Sequence, residues 1–248
     1  MKLKIMTHIM AGYPDLATSE ALVKTMAEAG AAMVEIQIPF SDPVADGPVI
    51  MQANETALRQ GMTPDLCFGL MARIKPSVTI PLLFMTYYNI VLRFGVEEFC
   101  RRAAAVGAYG LIVPDIPYHE EPYDHFLAAC QAHHLHPIQV VSPLTPERRL
   151  EHIAAVASGF IYCVSHTGLT GDRHSQHKEF IEYLNRVRRF TDLPLAVGFG
   201  ISTREQVTAL TGLADIVVMG SQVIRLLDAN GEDPLETIGK FLRTITAD

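Results

Sequence analysis

The feature that most restricts how this chain can fold is a repeated alternation. A short run rich in Val, Ile, Leu or Met is followed by a longer stretch with helical periodicity, again and again. Such runs occur at Ile5–Met10, Met33–Ile38, Leu82–Tyr87, Gly110–Val113, Ile138–Val141, Phe160–Val164, Leu195–Gly198 and Ile216–Met219. Several are apolar at consecutive positions, as expected of parallel strands covered on both faces. Helices are expected between them over Thr18–Ala29, Pro64–Ile74, Val96–Ala105, Glu121–His133, Pro146–Ala157, Lys178–Phe190, Arg204–Leu210 and Gln222–Asp228, with a last one near Pro234–Ile245. Local chemistry agrees with these limits. Thr63 suits an N-cap with Pro64 at the first helical position, Glu97 and Glu98 suit a first turn, and Gly30 suits a helix end.

Eightfold strand–helix alternation leaves two architectures, a closed barrel or an open doubly wound sheet. A doubly wound fold that binds a nucleotide would carry G-x-G-x-x-G after its first strand, where this chain has Ala11-Gly12-Tyr13-Pro14-Asp15. The count of eight and the glycine-rich ends of the last two strands favour an α/β fold of the (β/α)8, or TIM barrel, type. A length of 248 residues with 49% apolar content suits one barrel-sized domain spanning 1–248. No linker, low-complexity run or charge block divides it.

Net charge of −7 argues against nucleic acid or a membrane surface as partner. Cys67, Cys100, Cys130 and Cys163 show no C-x-x-C spacing and read as reduced thiols of a cytoplasmic protein. No apolar run approaches the ~18 residues needed to cross a bilayer. The opening MKLKIMTHIM is too short for a cleavable signal peptide and reads as a first strand entered almost at once.

Two regions carry chemistry. Strand 7 ends in Gly198-Phe199-Gly200-Ile201-Ser202 and strand 8 in Met219-Gly220-Ser221-Gln222. Loops at these two strand ends often form the phosphate site of such barrels, because glycine lets the backbone approach an anion and helix-start N–H groups point at it. Tight βα turns would need the same glycines. A third loop, Ser165–Gly171, follows strand 6. The second region is Val34-Glu35-Ile36-Gln37-Ile38-Pro39-Phe40-Ser41-Asp42-Pro43-Val44-Ala45-Asp46-Gly47-Pro48. Alternation places Glu35 and Gln37 on one face of the strand and Val34, Ile36 and Ile38 on the other. A carboxylate buried there is costly unless paired, and an acid in such a setting can donate and recover a proton near neutrality. Pro39, Pro43 and Pro48 stiffen the next loop, which offers Asp42 and Asp46 as a second carboxylate. The alternative is a structural Glu35 paired with a buried Lys or Arg, and aspartates that only shape turns; Asp42 in Ser-Asp-Pro fits that role best.

These stretches resemble the tryptophan synthase alpha subunit family over nearly the whole chain. Glu35–Pro48 is similar to the segment holding that family's two catalytic acids. Ala11–Asp15, Met85-Thr86-Tyr87-Tyr88-Asn89, Pro114-Asp115-Ile116-Pro117, Ser165–Gly171, Gly198–Ile201 and Gly220-Ser221 resemble its further motifs in order. The resemblance implies retro-aldol cleavage of indole-3-glycerol phosphate to indole and glyceraldehyde 3-phosphate. Glu35 would protonate the indole ring carbon and help remove the glycerol hydroxyl proton. Asp46 would accept a hydrogen bond from the indole N–H. Ile50, Met85, Tyr87 and Phe199 would wall the indole, Thr170 would steady Asp46, and Gly171, Gly200, Gly220 and Ser221 would hold the phosphate. No metal or organic cofactor is implied. The implied partner is a tryptophan synthase beta subunit, in an alpha2beta2 heterotetramer, docking near Pro39–Pro48, Asn89 and Asp115–Pro117.

The chain departs from the family at Gln37, where glycine is usual; at Ile90, where proline is common; and at His8, where an aromatic is frequent. It also shows no helix before strand 1. Three other readings stay open: a stand-alone indole-3-glycerol-phosphate lyase, a weakly catalytic regulatory paralogue that activates a beta subunit, and a different phosphate-binding barrel isomerase or aldolase. The predicted strands hold no lysine for Schiff-base chemistry. His133, His134 and His136 cluster at the far end of the barrel from the chemistry, and His166, His174 and His177 are expected on the loop after strand 6.

Overall fold

The computed structural model describes residues 3–116, 125–164, 173–198, 200–229 and 233–246, with side chains from 178 onward in the segment that opens at 173. Eight strands, β1 (Lys4–Met10), β2 (Met33–Gln37), β3 (Leu82–Met85), β4 (Gly110–Ile112), β5 (His136–Val141), β6 (Ile161–Val164), β7 (Leu195–Gly198) and β8 (Ile216–Met219), pair in sequence order. Every pairing is parallel, and β1 joins β8 as well as β2, so the sheet closes on itself. The open doubly wound alternative is thereby excluded. The strand limits lie within two residues of those expected. One difference touches chemistry: β1 begins at Lys4, so a strand does carry a lysine. That lysine is exposed at the N-terminal end of its strand, opposite the mouth.

Helices alternate with the strands: α1 (Leu16–Glu28), α2 (Pro48–Arg59), α3 (Pro64–Ile74), α4 (Tyr88–Phe94), α5 (Val96–Ala105), α6 (Phe126–Ala132), α7 (Glu147–Val156), α8 (Arg173–Arg188), α9 (Arg204–Thr208), α10 (Ser221–Leu227) and α11 (Pro234–Thr246). Sequence reading missed α2 and α4. It placed His174 and His177 in a loop, but both positions fall within α8. The caps are local chemistry. Asp15 accepts the Thr18 N–H at 2.7 Å, Thr63 that of Leu66 at 3.3 Å, and Thr203 with Gln206 forms a reciprocal capping box. Gly30 follows α1 at φ +96°, a left-handed conformation in which a side chain would be strained. Among the described residues no helix is long and apolar enough to cross a membrane.

Strand periodicity divides the core in two. Val34, Ile36, Leu82, Phe84 and Leu111 pack with helix residues such as Phe68, Phe99 and Leu22. Met6, Met33, Leu83, Ile112, Ile138, Ala196, Ile216 and Val218, with Phe160 just before β6, form a separate cluster inside the barrel. Glu35 and Gln37 share the Met33 face of β2, so both point to the barrel axis. The four cysteines are buried and form no disulfide. Burial pushes the Cys163 thiol up to about 12 and that of Cys67 higher still, so these thiols are inert near neutrality.

The sheet tolerates no side chain at Gly110. A Cβ there would collide with the His136 carbonyl oxygen, a backbone atom of the neighbouring strand. Gly110→Ala should therefore cost roughly 1–3 kcal/mol in urea unfolding. A change below about 0.5 kcal/mol, the range of ordinary surface substitutions, would contradict that close approach.

Candidate active site

The C-terminal strand ends surround a cavity of about 470 Å³ lined by Glu35, Asp46, Ile50, Met85, Gly200, Gly220 and Ser221 among others. These expected site residues come from β2, β3, α2, α10 and the loops after β2, β7 and β8, and the barrel brings them to one mouth. Tyr87 does not line the cavity. It is fully buried behind the loop after β2, where its hydroxyl accepts the Ala45 N–H at 3.1 Å. Thr170, Gly171 and Phe199 lie outside the described residues, as does most of the segment expected to form the loop after β6.

Glu35 is 1% exposed. The partner it meets is neither Lys nor Arg. His8 Nδ1 lies 2.9 Å from Oε1, and the Tyr162 hydroxyl donates to the same oxygen at 3.5 Å. Burial and the neighbouring Glu35 charge hold the Tyr162 phenol far above its ordinary range, so it stays a donor. Glu35 Oε2 has no hydrogen-bond partner among the described residues. One oxygen is thus fixed and the other left for chemistry. Strand register makes the His8 contact, because His8 and Glu35 are direct partners across β1 and β2.

Asp46 is held by different means. Gln37 Nε2 donates to its Oδ2 at 2.6 Å. The loop that carries it is pinned from three sides. Asn54 on α2 accepts from Phe40 N–H at 2.8 Å and donates to Phe40 O, Phe40 stacks on Tyr87 at 5.2 Å, and Tyr87 takes the Ala45 N–H. Burial raises the Asp46 carboxyl above the usual carboxylate range; the Gln37 hydrogen bond, the nearby His8 and the Tyr87 hydroxyl pull it back. Gln37→Ala removes a donor that favours the charged form, so the Asp46 pKa should move further up. If Asp46 works ionised, the acid limb of the pH–activity profile then shifts to higher pH. A limb that stays in place or moves down would contradict this. Asp42, by contrast, is exposed and accepts from Ser41 at 2.6 Å and through its backbone from Val44, a turn.

The opposite end of the cavity is glycine and backbone. A Cβ at Gly220 would press on the His8 Cβ at 3.3 Å, and one at Gly198 would sit 3.1 Å from the Tyr162 hydroxyl, so glycine at both positions leaves room for the two side chains that reach Glu35. Gly200 adopts φ +63° with open space around it. Ser221 starts α10, and Arg225, one turn on, reaches its hydroxyl at 3.4 Å. The cavity therefore has a carboxylate end, an apolar wall of Ile50, Met85, Ile112, Val140 and Val164, and an end offering backbone, hydroxyl and guanidinium. Among the described residues no three His, Cys, Asp or Glu side chains gather as metal ligands do. His133 and His136 instead bond Glu97 and Ser158 respectively.

A barrel with this mouth fits many chemistries, and relatives narrow the choice. The family model described as tryptophan synthase alpha chain matches residues 2–246. The chain belongs to that family. The tryptophan synthase alpha chain of Syntrophotalea carbinolica is 47% identical over 239 residues, covering 96% of this chain and 94% of the relative. That of Desulforapulum autotrophicum is 43% identical, over 97% and 93%. Among solved structures, a tryptophan synthase from M. tuberculosis in an open form superposes with TM-score 0.89 at 31% identity, over 99% of this chain and 92% of the other. The alpha subunit from Legionella pneumophila gives 0.89 at 30%, over 99% and 92%.

For this family member, sequence reading overlooked Tyr162 and Arg225 as cavity residues and noted His8 and Gln37 only as departures. Arg225 had a signal in its spacing, four residues after Ser221 on one helix face. Tyr162 had a weaker one, a polar tip in a buried strand. Neither shows what it touches until the barrel closes.

Proposed function

We propose that this chain is the alpha subunit of a tryptophan synthase, a lyase that splits indole-3-glycerol phosphate into indole and glyceraldehyde 3-phosphate at the barrel mouth. The observation that carries the reading is the pairing of a buried Glu35 with a free Oε2 and a separately anchored Asp46, facing a glycine- and serine-lined end across an apolar cavity. Glu35 protonates the ring carbon that bears the glycerol chain. Asp46 takes a hydrogen bond from the indole N–H and stabilises the positive charge that develops there. The C–C bond then breaks, its electron pair restoring the indole double bond while the adjacent hydroxyl becomes the aldehyde. Ile50 and Met85 flank the indole, with Tyr87 supporting the Asp46 loop from behind. Gly200, Gly220 and Ser221, aided by Arg225, receive the phosphate. Thr170, Gly171 and Phe199 complete the site in this reading.

The partner is a beta subunit, in a complex of two alpha and two beta chains. Supporting it are Val44 and Leu92, large apolar side chains exposed on the elements that follow β2 and β3 at the mouth. The test is indole release from indole-3-glycerol phosphate by the purified chain, with and without a tryptophan synthase beta chain. Slow release that rises at least about tenfold with the beta chain, a coupling in the usual allosteric range, is expected. Fast release indifferent to the beta chain would favour a stand-alone lyase, and no release under either condition would overturn the proposal.

A further inference from the structure

Within that proposed reaction, the return of the hydroxyl proton to Glu35 needs a route. The carboxyl that gives its proton to the ring carbon must also, a moment later, collect the hydroxyl proton of the departing carbon. Glu35 is poorly placed to swing between the two positions, because His8 and Tyr162 hold Oε1 from two sides. His8 offers a second route. It is 4% exposed, it lines the same cavity, and its Nε2 is buried without a partner among the described residues. Its ring lies between Glu35, 2.9 Å from Nδ1, and Gly220, where a Cβ would stand 3.5 to 3.6 Å from the ring's Cγ and Cδ2. A substrate with its indole at Glu35 and its phosphate at Gly220 runs its three-carbon chain, and its hydroxyls, past this imidazole.

We propose that His8 is a catalytic residue that relays the hydroxyl proton to Glu35. Glu35 Oε2 delivers its proton to the ring carbon and becomes a carboxylate. The hydroxyl O–H then breaks as Nε2–H forms on His8, and Nδ1–H breaks as Oε1–H forms on Glu35. The C–C electron pair returns to the indole ring and cancels the charge on its nitrogen, and the hydroxyl oxygen becomes the carbonyl oxygen. The carboxyl ends protonated and the imidazole neutral, in its other tautomer, and both exchange back through water after the products leave. The relay lets Glu35 and its two donors stay fixed throughout. An imidazole at a buried strand position, where an unreactive ring would fill the space, is what this role requires.

Two substitutions separate relay from support. His8→Asn keeps an amide N–H near the Nδ1 position and so the hold on Glu35, but has no second nitrogen. His8→Phe keeps the ring and loses both. Each is assayed for indole release with the beta chain present, beside the affinity for 3-(indol-3-yl)propyl phosphate, which has the indole and phosphate but no hydroxyls. The relay predicts that kcat falls about 100-fold in both variants, within the usual range for general acid–base groups, with KM changed less than about threefold and analogue binding unchanged. Should His8→Phe fail to fold, His8→Asn decides alone. His8→Asn with wild-type kcat, or a loss of kcat matched by equally weakened analogue binding, reduces His8 to a structural role and overturns the relay. Failure of the underlying lyase reading would show itself differently, as no indole from the unaltered chain.

Discussion

Glu35→Gln should lower kcat for indole release by about 10²–10⁴-fold, the range for loss of a positioned general acid, while leaving affinity for the hydroxyl-free analogue within about threefold. The substitution preserves volume, and its amide oxygen can still accept from His8 and Tyr162. What it removes is the proton that Glu35 Oε2 would present to the ring carbon. Circular dichroism and denaturant unfolding should show an intact fold, because the polar contacts survive. A variant that retains a tenth or more of the wild-type kcat would mean that another group protonates the ring.

The largest expected effect on stability is at Phe68. Its ring lies edge-on to Phe84 of β3 at 5.3 Å, Phe94 of α4 at 5.6 Å and Phe99 of α5 at 5.2 Å, with the Arg102 guanidinium 4.8 Å above it. It is 1% exposed, so Phe68→Ala leaves a void among elements that converge on one ring. A cost of about 3–5 kcal/mol is expected, a large share of the ~5–15 kcal/mol that typically holds a folded domain. Equilibrium unfolding in urea measures it; a loss under about 1 kcal/mol would mean that neighbouring rings close the gap.

The barrel was legible because its strands are short, buried on both faces and separated by helical stretches, and because several helix starts are written in local chemistry. α3 and α5 begin where Thr63-Pro64 and Glu97-Glu98 indicate. α2 was missed because its buried residues are Ile50, Ala53, Asn54 and Ala57, only the first of them large and apolar, so periodicity is faint. α4 was missed because it is seven residues long with Val91 its only buried side chain.

Much the same limit governs the site. Glu35 stood out as an acid in an apolar strand. His8 stood out less, and nothing local ties it to a residue 27 positions away. Strand register across β1 and β2 makes them neighbours, and register is a property of the closed sheet. Gln37 reads in the sequence only as a larger polar residue where the family usually has glycine. In the folded chain it is the donor that anchors Asp46. Tyr87, expected at the indole wall, supports the loop from behind because the chain turns into α4 directly after it.

The account is tested most directly by a crystal structure of the Glu35→Gln chain with intact indole-3-glycerol phosphate bound. It predicts the indole between position 35 and Asp46, with its N–H on the Asp46 carboxylate, the phosphate against Gly200, Gly220 and Ser221, and a glycerol hydroxyl facing His8. Phosphate bound elsewhere, or an indole turned away from Asp46, would contradict it.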